Sequence, residues 1–200
     1  MGARGRFIVL EGGEASGKST QAARLAADLD GLLTREPGGT AVGERLRAVL
    51  LDPALPGVTD RAEALMMLAA RAQHVAEVIV PALETGRAVI CDRFSGSTLA
   101  YQGYGRGLAP DSLARLSAWA ADGVTPDRII LLQVPASEAA ERLRGRGGTD
   151  RLEGEGAAFF ARVATGFAAL AAADPATWRM VDGVGSTDEV ARRVAEAVQA

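Results

Sequence analysis

Residues 12–19 read GGEASGKS and match the pattern G-x-x-x-x-G-K-[ST], a glycine-rich loop followed by a lysine and a hydroxyl residue. The loop directly follows an apolar run at 7–10 and precedes a helical pattern that begins near Gly17. Glycines let backbone N–H groups converge on phosphate oxygens because no Cβ atoms stand in the way. Lys18 adds a positive charge for the β- and γ-phosphates, and the Ser19 hydroxyl suits Mg²⁺. This phosphate loop therefore predicts a nucleoside triphosphate site at the positive end of a helix.

The composition is that of an ordinary globular domain. The 200 residues are 48% hydrophobic and 24% charged, which suits a single domain with a buried core, residues 1–200. A net charge of −3 gives no reason to expect nucleic acid binding, and no apolar run has the length of a membrane span. The single cysteine, Cys91, allows no internal disulfide and lies in an apolar run, where an inert buried thiol is expected. We therefore expect a cytoplasmic protein that contacts neither nucleic acid nor membrane.

Short apolar runs alternate with helical patterns along the chain, which predicts an α/β fold whose parallel strands are joined by crossover helices. The expected strands are 7–10, 32–34, 88–91, 128–134 and 178–181. The expected helices are 17–30, 43–51, 60–84, 111–121, one from 136, 153–172 and 187–197, and Pro81 is a position that can end or kink the helix at 60–84. Two spacings, Asp60 with Glu63 and Ser186 with Glu189, are typical of helix capping pairs. The glycines between 103 and 107 predict a flexible connection.

Asp92 and Arg93 directly follow the apolar strand at 88–91. Ligands bind open parallel sheets at the carboxyl ends of the strands, so this pair is expected at the same sheet edge as the phosphate loop. Arg93 can hold an acceptor phosphate with two parallel hydrogen bonds, and Asp92 can organise the water shell of Mg²⁺. An Asp-Arg dipeptide is more often a surface ion pair, but its place after a buried strand favours a functional role.

Met67, Arg71 and His74 share one face of the helix expected at 60–84. An arginine one turn from a methionine can reach a planar ligand while the thioether packs on its face. Spacing alone favours a different interpretation, a solvated arginine beside a core methionine. His74 is the only histidine and has no cysteine companion nearby, so we assign it no catalytic role.

Arginines are concentrated after the strand expected at 128–134. Arg142, Arg144, Arg146 and Arg151 fall in or near a glycine-rich segment, and we interpret about 142–153 as a lid that closes over the triphosphate. The alternative is a solvated helix end whose arginines lie near its negative pole.

The chain resembles bacterial thymidylate kinases in six segments, which are 7–20, 34–40 (TREPGGT), 69–71 (AAR), 92–93 (DR), 97–103 (STLAYQG) and 150–153 (DRLE). They occur in the family's order and extend from about residue 6 to 155. The resemblance implies a P-loop NTPase fold and transfer of the γ-phosphoryl of ATP to dTMP, giving dTDP and ADP for dTTP synthesis. It also implies Mg²⁺ as cofactor and a homodimer.

The resemblance assigns residues to each part of such a site. The implied catalytic residues are Lys18, Asp92, Arg93 and Arg146, with Ser19 and Asp92 at the metal. The implied ATP-binding residues are Gly12, Gly13, Glu14, Ala15, Ser16, Gly17, Lys18, Ser19, Thr20, Arg142, Arg146 and Arg151. The implied dTMP-binding residues are Glu14, Arg35, Glu36, Met67, Arg71, Arg93, Thr98, Tyr101 and Gln102.

The implied roles on dTMP follow the parts of the nucleotide. In the family, the arginine that matches Arg93 holds the phosphate, and the carboxylate that matches Glu14 approaches the 3′-hydroxyl. The matches of Arg71, Thr98 and Gln102 read the thymine edge. The match of Tyr101 packs where a ribose hydroxyl would lie. On the donor side, Arg146 would supply the basic group that the phosphate loop lacks.

One position departs from the family, which commonly has an aromatic residue against thymine where this chain has Met67. A thioether can pack against a ring but has no π-face. Three alternative functions stay open: a kinase for another nucleotide or nucleoside, a GTPase-type switch or other non-kinase P-loop NTPase, and an inactive nucleotide-binding module. The switch is disfavoured because the chain has no Asn-Lys-x-Asp segment.

Overall fold

Five parallel strands form the centre of the structure, which is a computed structural model describing residues 3–55, 57–144 and 150–200. The strands are β1 Phe7–Gly12, β2 Leu32–Arg35, β3 Val89–Asp92, β4 Arg128–Gln133 and β5 Trp178–Asp182. They lie side by side in the order β2-β3-β1-β4-β5, and every neighbouring pair is parallel. The predicted α/β class and its five strands are confirmed.

Helices cover both faces of the sheet. They are α1 Lys18–Asp28, α2 Ala41–Leu51, α3 Asp60–His74, α4 Val80–Glu84, α5 Ser95–Thr98, α6 Pro110–Ala120, α7 Ala136–Arg144, α8 Ala157–Ala173 and α9 Thr187–Gln199. Two π-helical turns are inserted among them, π1 Val75–Ile79 and π2 Leu99–Gly105. None of the described helices combines the length and the apolar character needed to cross a lipid bilayer.

The central strand β1 contributes to two separate apolar cores. Phe7 and Val9 pack in a core with α8 and the π-helical turns, whereas Ile8 and Leu10 pack in a core with α1 and α9. Successive side chains of a strand point to opposite faces, so a strand covered on both sides reads as an unbroken apolar run. This accounts for the FIVL sequence that precedes the phosphate loop.

The strand order brings two loops to one edge of the sheet. β1 and β3 are direct neighbours, with Leu10 paired to Asp92, and the backbone N–H of Arg93 donates to the Leu10 carbonyl at 2.9 Å. The phosphate loop leaves the carboxyl end of β1, and the Asp92-Arg93 pair leaves the carboxyl end of β3.

The helix predicted at 60–84 is interrupted. The structure has α3, the π1 turn and α4 in its place, with Pro81 in the first turn of α4. Proline has no N–H to donate and crowds the preceding turn, which favours a local change in the hydrogen-bond ladder. The expected capping pair was wrong, because Thr59 caps α3 by accepting from the Ala62 N–H at 3.4 Å, and Glu63 is buried.

The predicted flexible connection at 103–107 was also wrong. Residues 103–105 belong to the π2 turn, which packs against α8, and the N–H groups of Arg106 and Gly107 donate to the carbonyls of Tyr101 and Gly103. A Cβ at Gly105 would lie 2.6 Å from Cε2 of Phe159, so the glycine permits close packing.

Two local predictions are confirmed. Ser186 and Glu189 form a reciprocal capping box at the start of α9. Cys91 is buried, and burial raises the pKa of its thiol well above the usual value. The thiol is therefore the inert core group that its apolar strand indicated.

Candidate active site

The phosphate loop turns from β1 into α1 through glycines with positive φ. Gly12 has φ 147° and Gly17 has φ 93°. A Cβ at Gly12 would lie 2.5 Å from the carbonyl oxygen of Leu132, so a larger residue does not fit there. Gly17 is the N-cap of α1, and the first N–H groups of the helix lack intrahelical partners. The loop therefore has both the shape and the dipole of an anion site.

Lys18 folds back over this loop. Its Nζ donates to the Gly13 carbonyl at 2.6 Å and to Oγ of Ser16 at 3.2 Å. The residue is only 6% exposed. Burial lowers the pKa of Lys18 to about 8, and the nearby charge of Arg93 acts in the same direction. A polyanion in the loop would favour the protonated amine again.

Ser19 and Asp92 offer oxygen ligands beside the loop. Oγ of Ser19 donates to Oδ2 of Asp92 at 2.5 Å. Oδ1 of Asp92 is buried and has no hydrogen-bond partner among the described residues. A hydroxyl and a carboxylate with a free oxygen are the hard donors that Mg²⁺ prefers, so this pair fits the cation.

Arg93 lies in the left-handed region, with φ 72°, and its guanidinium turns toward the phosphate loop. Nη1 donates to the Gly12 carbonyl at 3.0 Å and to Oγ of Ser97 at 3.1 Å. Nη2 donates to Oε1 of Glu14 at 2.6 Å and to the Tyr101 hydroxyl at 3.1 Å. The fork of donors is thus aimed at the loop, where an anion can meet it.

The Glu14 carboxylate is the anion that Arg93 contacts in this structure. Burial favours the neutral acid, but the charges of Arg93 and Lys18 outweigh it and lower the pKa of Glu14 to about 2. The Tyr101 hydroxyl donates to the same Oε1 at 2.6 Å. Glu14 is therefore ionised at neutral pH.

Glu11, which sequence reasoning missed, holds the turn that carries Arg93. Its fully buried carboxylate accepts from the N–H groups of Phe94 and Ser97, both at 3.0 Å, and from Oγ of Ser97 at 2.5 Å. Burial raises the pKa of Glu11, although these donors act against the shift. The one signal in the sequence was a carboxylate within an otherwise apolar buried strand.

A cavity lies next to Arg93 and contains a buried guanidinium. Arg71 is 2% exposed, and its Nε donates to Oε2 of Glu36 at 2.8 Å. The other nitrogens donate to Oγ1 of Thr98 at 2.9 Å and to Oγ of Ser117 at 3.2 Å. The expectation of a solvated arginine was wrong, because the TREPGGT segment supplies Glu36 as a buried partner.

The comparisons with known proteins agree on one family. A family model described as thymidylate kinase matches residues 10–194. The chain belongs to the thymidylate kinase family. A thymidylate kinase of Pelotomaculum thermopropionicum is 47% identical over 185 residues, covering 90% of this chain and 86% of that protein. One of Halorhodospira halophila is 47% identical over 205 residues, covering 99% and 95%.

A solved structure supports the same conclusion. The crystal structure of the thymidylate kinase from Ehrlichia chaffeensis matches with a TM-score of 0.81 at 31% identity, covering 98% of this chain and 100% of that chain. The predicted P-loop NTPase fold and the predicted family are therefore confirmed.

Most residues that the thymidylate kinase resemblance assigns to dTMP line the cavity next to Arg93. They are Glu14, Glu36, Met67, Arg71, Arg93, Thr98, Tyr101 and Gln102. Arg35 is the exception, because it forms an ion pair with Glu44 and lines the neighbouring cavity at the phosphate loop.

Only some of the residues assigned to ATP lie together at the phosphate loop. Residues 14–20 line two cavities that share Ala15, Gly17 and Thr20. Arg142 lines the second cavity and donates to the Ala15 carbonyl at 3.2 Å and the Gly183 carbonyl at 3.0 Å. Arg151 lies elsewhere, with its guanidinium on Glu63 and the Leu50 carbonyl, so this geometry does not support a contact with ATP. Arg146 lies outside the described residues.

Two buried residues of this thymidylate kinase site escaped sequence reasoning. Phe94 lines the same cavity as Met67, and the guanidinium carbon of Arg71 lies 4.8 Å from the centroid of the Phe94 ring. His74 is fully buried, with Nε2 2.6 Å from Oγ1 of Thr34 and Nδ1 3.1 Å from Oε1 of Glu36. Phe94 follows Asp92-Arg93 directly, which was the available signal.

Proposed function

We propose that this protein transfers the γ-phosphoryl group of ATP to dTMP, giving ADP and dTDP. The observation that carries the proposal is the juxtaposition of two anion sites at adjacent strand ends, with the Lys18 loop on one side and Arg93 on the other. A cavity containing Arg71 and Gln102 continues beyond Arg93 and offers polar groups to a base. A donor triphosphate and an acceptor monophosphate would meet head-on between them.

Positioning and charge neutralisation dominate the proposed mechanism, because phosphoryl transfer needs little covalent chemistry from the protein. Lys18 and the loop N–H groups hold the donor, and Arg93 aligns the acceptor phosphate. No general base is needed, because the attacking phosphate is already an anion. We place Arg142 and Arg146 at the donor as parts of a lid, about 142–153.

Mg²⁺, when bound, neutralises charge on the phosphate oxygens. In this proposal Ser19 and Asp92 are the residues that hold it, because they are hydrogen-bonded to each other beside the phosphate loop and Oδ1 of Asp92 has no partner among the described residues. Their separation in sequence is bridged by the pairing of β1 with β3.

The decisive experiment measures ADP release with and without an acceptor. We expect ADP only when an acceptor is present, with the highest kcat/KM for dTMP and lower values for dUMP, dCMP and thymidine. Release without any acceptor would indicate an NTPase, and preference for thymidine would indicate a nucleoside kinase. No ADP under any condition would indicate an inactive module.

The pH dependence tests the charge of Lys18. The pKa of Lys18, about 8 in the free protein, is depressed below its value in an exposed chain, so the amine becomes neutral as pH rises through 8. We therefore expect kcat/KM for ATP, which reports the free enzyme, to be level near neutrality and to fall above about pH 8. A profile that stays level to pH 10 contradicts this assignment. A Lys18→Arg variant, if active, keeps its charge and loses the alkaline decline.

We also propose that the protein is a cytoplasmic homodimer. α3 packs against α6, and both helices expose large apolar side chains, with Leu65 59%, Leu116 42% and Trp119 80% exposed. Apolar groups exposed on adjacent helices are typical of a surface that a partner covers. We expect Trp119→Glu to shift the sedimentation coefficient from dimer to monomer, with Ala114→Glu, at an exposed position on another face of the same helix, as the control. A wild-type monomer at micromolar concentration would overturn the proposal.

A further inference from the structure

Glu63 is a buried carboxylate that serves three donors. It lies in the first turn of α3 and is 1% exposed. Its Oε1 accepts from Nε2 of Gln102 at 2.8 Å and from Nε of Arg106 at 3.2 Å. Its Oε2 accepts from Arg106 at 3.0 Å and from Arg151 at 2.7 Å. Hydrogen bonds from three residues therefore fix the position of this buried carboxylate.

The charge state of Glu63 determines what it can accept. Burial favours the neutral acid, but the hydrogen bonds from Arg106, Gln102 and Arg151 outweigh it and hold the pKa of Glu63 below its usual value. Glu63 is therefore an ionised carboxylate at neutral pH, and an ionised carboxylate has only acceptors.

The ionised Glu63 restricts which way the amide of Gln102 can point. A glutamine amide has a donor end and an acceptor end, and only its NH₂ end can face a carboxylate. Gln102 is 1% exposed and lines the same cavity as Arg71 and Met67. With Nε2 held by Glu63, Oε1 is the end of the amide left for a ligand.

We propose that Glu63 is a positioning residue that fixes the polarity of the base-reading amide, so that Gln102 presents an acceptor to the ring. The proposal rests on the proposed function. Arg71, which lines the same cavity, supplies donors. An acceptor beside a donor matches a pyrimidine whose ring nitrogen N3 carries a proton next to a carbonyl oxygen, as in thymine and uracil. Cytosine has a bare N3 next to an amino group, so both of its groups would meet like polarity.

The test compares the ratio of kcat/KM for dTMP to that for dCMP in the full-length enzyme. In Glu63→Gln the neutral partner can accept or donate, so Gln102 is free to turn its NH₂ toward the ligand. We expect the ratio to fall by about tenfold or more, since buried polar groups left unpaired set such preferences. The matched control is Arg106→Gln, which removes a charged partner of the same carboxylate. It should change thermal stability without changing the ratio.

Each outcome bears on the proposal. An unchanged ratio in a folded Glu63→Gln enzyme overturns it, as does an equal loss of the ratio in Arg106→Gln. If Glu63→Gln does not fold, Gln102→Leu decides, because it removes the amide and leaves the carboxylate with both arginines. A ratio that survives in Gln102→Leu overturns the proposal. Failure of the proposed function is seen separately, as absence of wild-type turnover with dTMP.

Discussion

Replacing Lys18 by alanine is expected to lower kcat by about 100-fold or more, as removal of one preorganised charged group at a transferring centre does. Lys18 is the only lysine in the chain, and its Nζ lies on the phosphate loop itself. The effect should fall on kcat, because charge on the moving phosphoryl group is greatest in the transition state. The measurement is steady-state ADP release at saturating ATP and dTMP.

Arg24→Ala is the matched control for Lys18→Ala. It removes a basic residue from the same helix, but one whose partner is the exposed Asp188. We expect near-normal turnover, since exposed ion pairs contribute little. If Lys18→Ala also turned over at a near-normal rate, the assignment of Lys18 to the donor phosphates would be refuted.

Replacing Arg93 by alanine is expected to reduce kcat/KM for dTMP by about 100- to 1,000-fold. The change removes the guanidinium that faces the acceptor and leaves the partly buried Glu14 without its hydrogen-bonded charged partner, a combination that is costly. Arg93→Lys should fall between wild type and alanine, because it keeps the charge and loses the bidentate fork. The measurement varies dTMP at saturating ATP, and thermal unfolding shows whether the fold is retained.

The role of Arg93 is tested by which substrate, dTMP or ATP, has an altered KM in the variant. In the proposed geometry KM for dTMP rises and KM for ATP changes little. A change of equal size in both KM values would place Arg93 between the substrates as a general electrostatic group. A change confined to ATP would remove it from the acceptor site.

The sheet could be predicted because buried parallel strands are apolar on both faces. FIVL at 7–10 and the run at 128–134 stand out from the helical patterns around them. The π-helical turns could not be predicted, because the apolar spacing around Val75–Ile79 and Leu99–Gly105 is also that of an α-helix. The glycines of the second turn predicted a flexible connection instead, and the packing of Gly105 against Phe159 is visible only in the structure.

The residues of the candidate site likewise fall into those that the sequence predicts and those that it does not. Residues that lie in one local motif, such as Lys18 and Ser19, follow from spacing alone. The burial of Arg71 did not, since it depends on Glu36, which is 35 residues away in sequence. The buried roles of Glu11 and Glu63 were not predicted for the same reason, because their donors belong to distant segments. A lone carboxylate carries no pattern that identifies its partners.

The contact between Glu14 and Arg93 has a consequence for the solution in which the enzyme works. In the proposed site the acceptor phosphate must displace a tethered carboxylate, which already accepts from Nη2 of the guanidinium at 2.6 Å. Sulfate or inorganic phosphate must displace the same carboxylate without the nucleoside contacts that favour dTMP binding. Simple oxyanions should therefore be poor competitors of dTMP, and the enzyme should keep its rate in buffers rich in them.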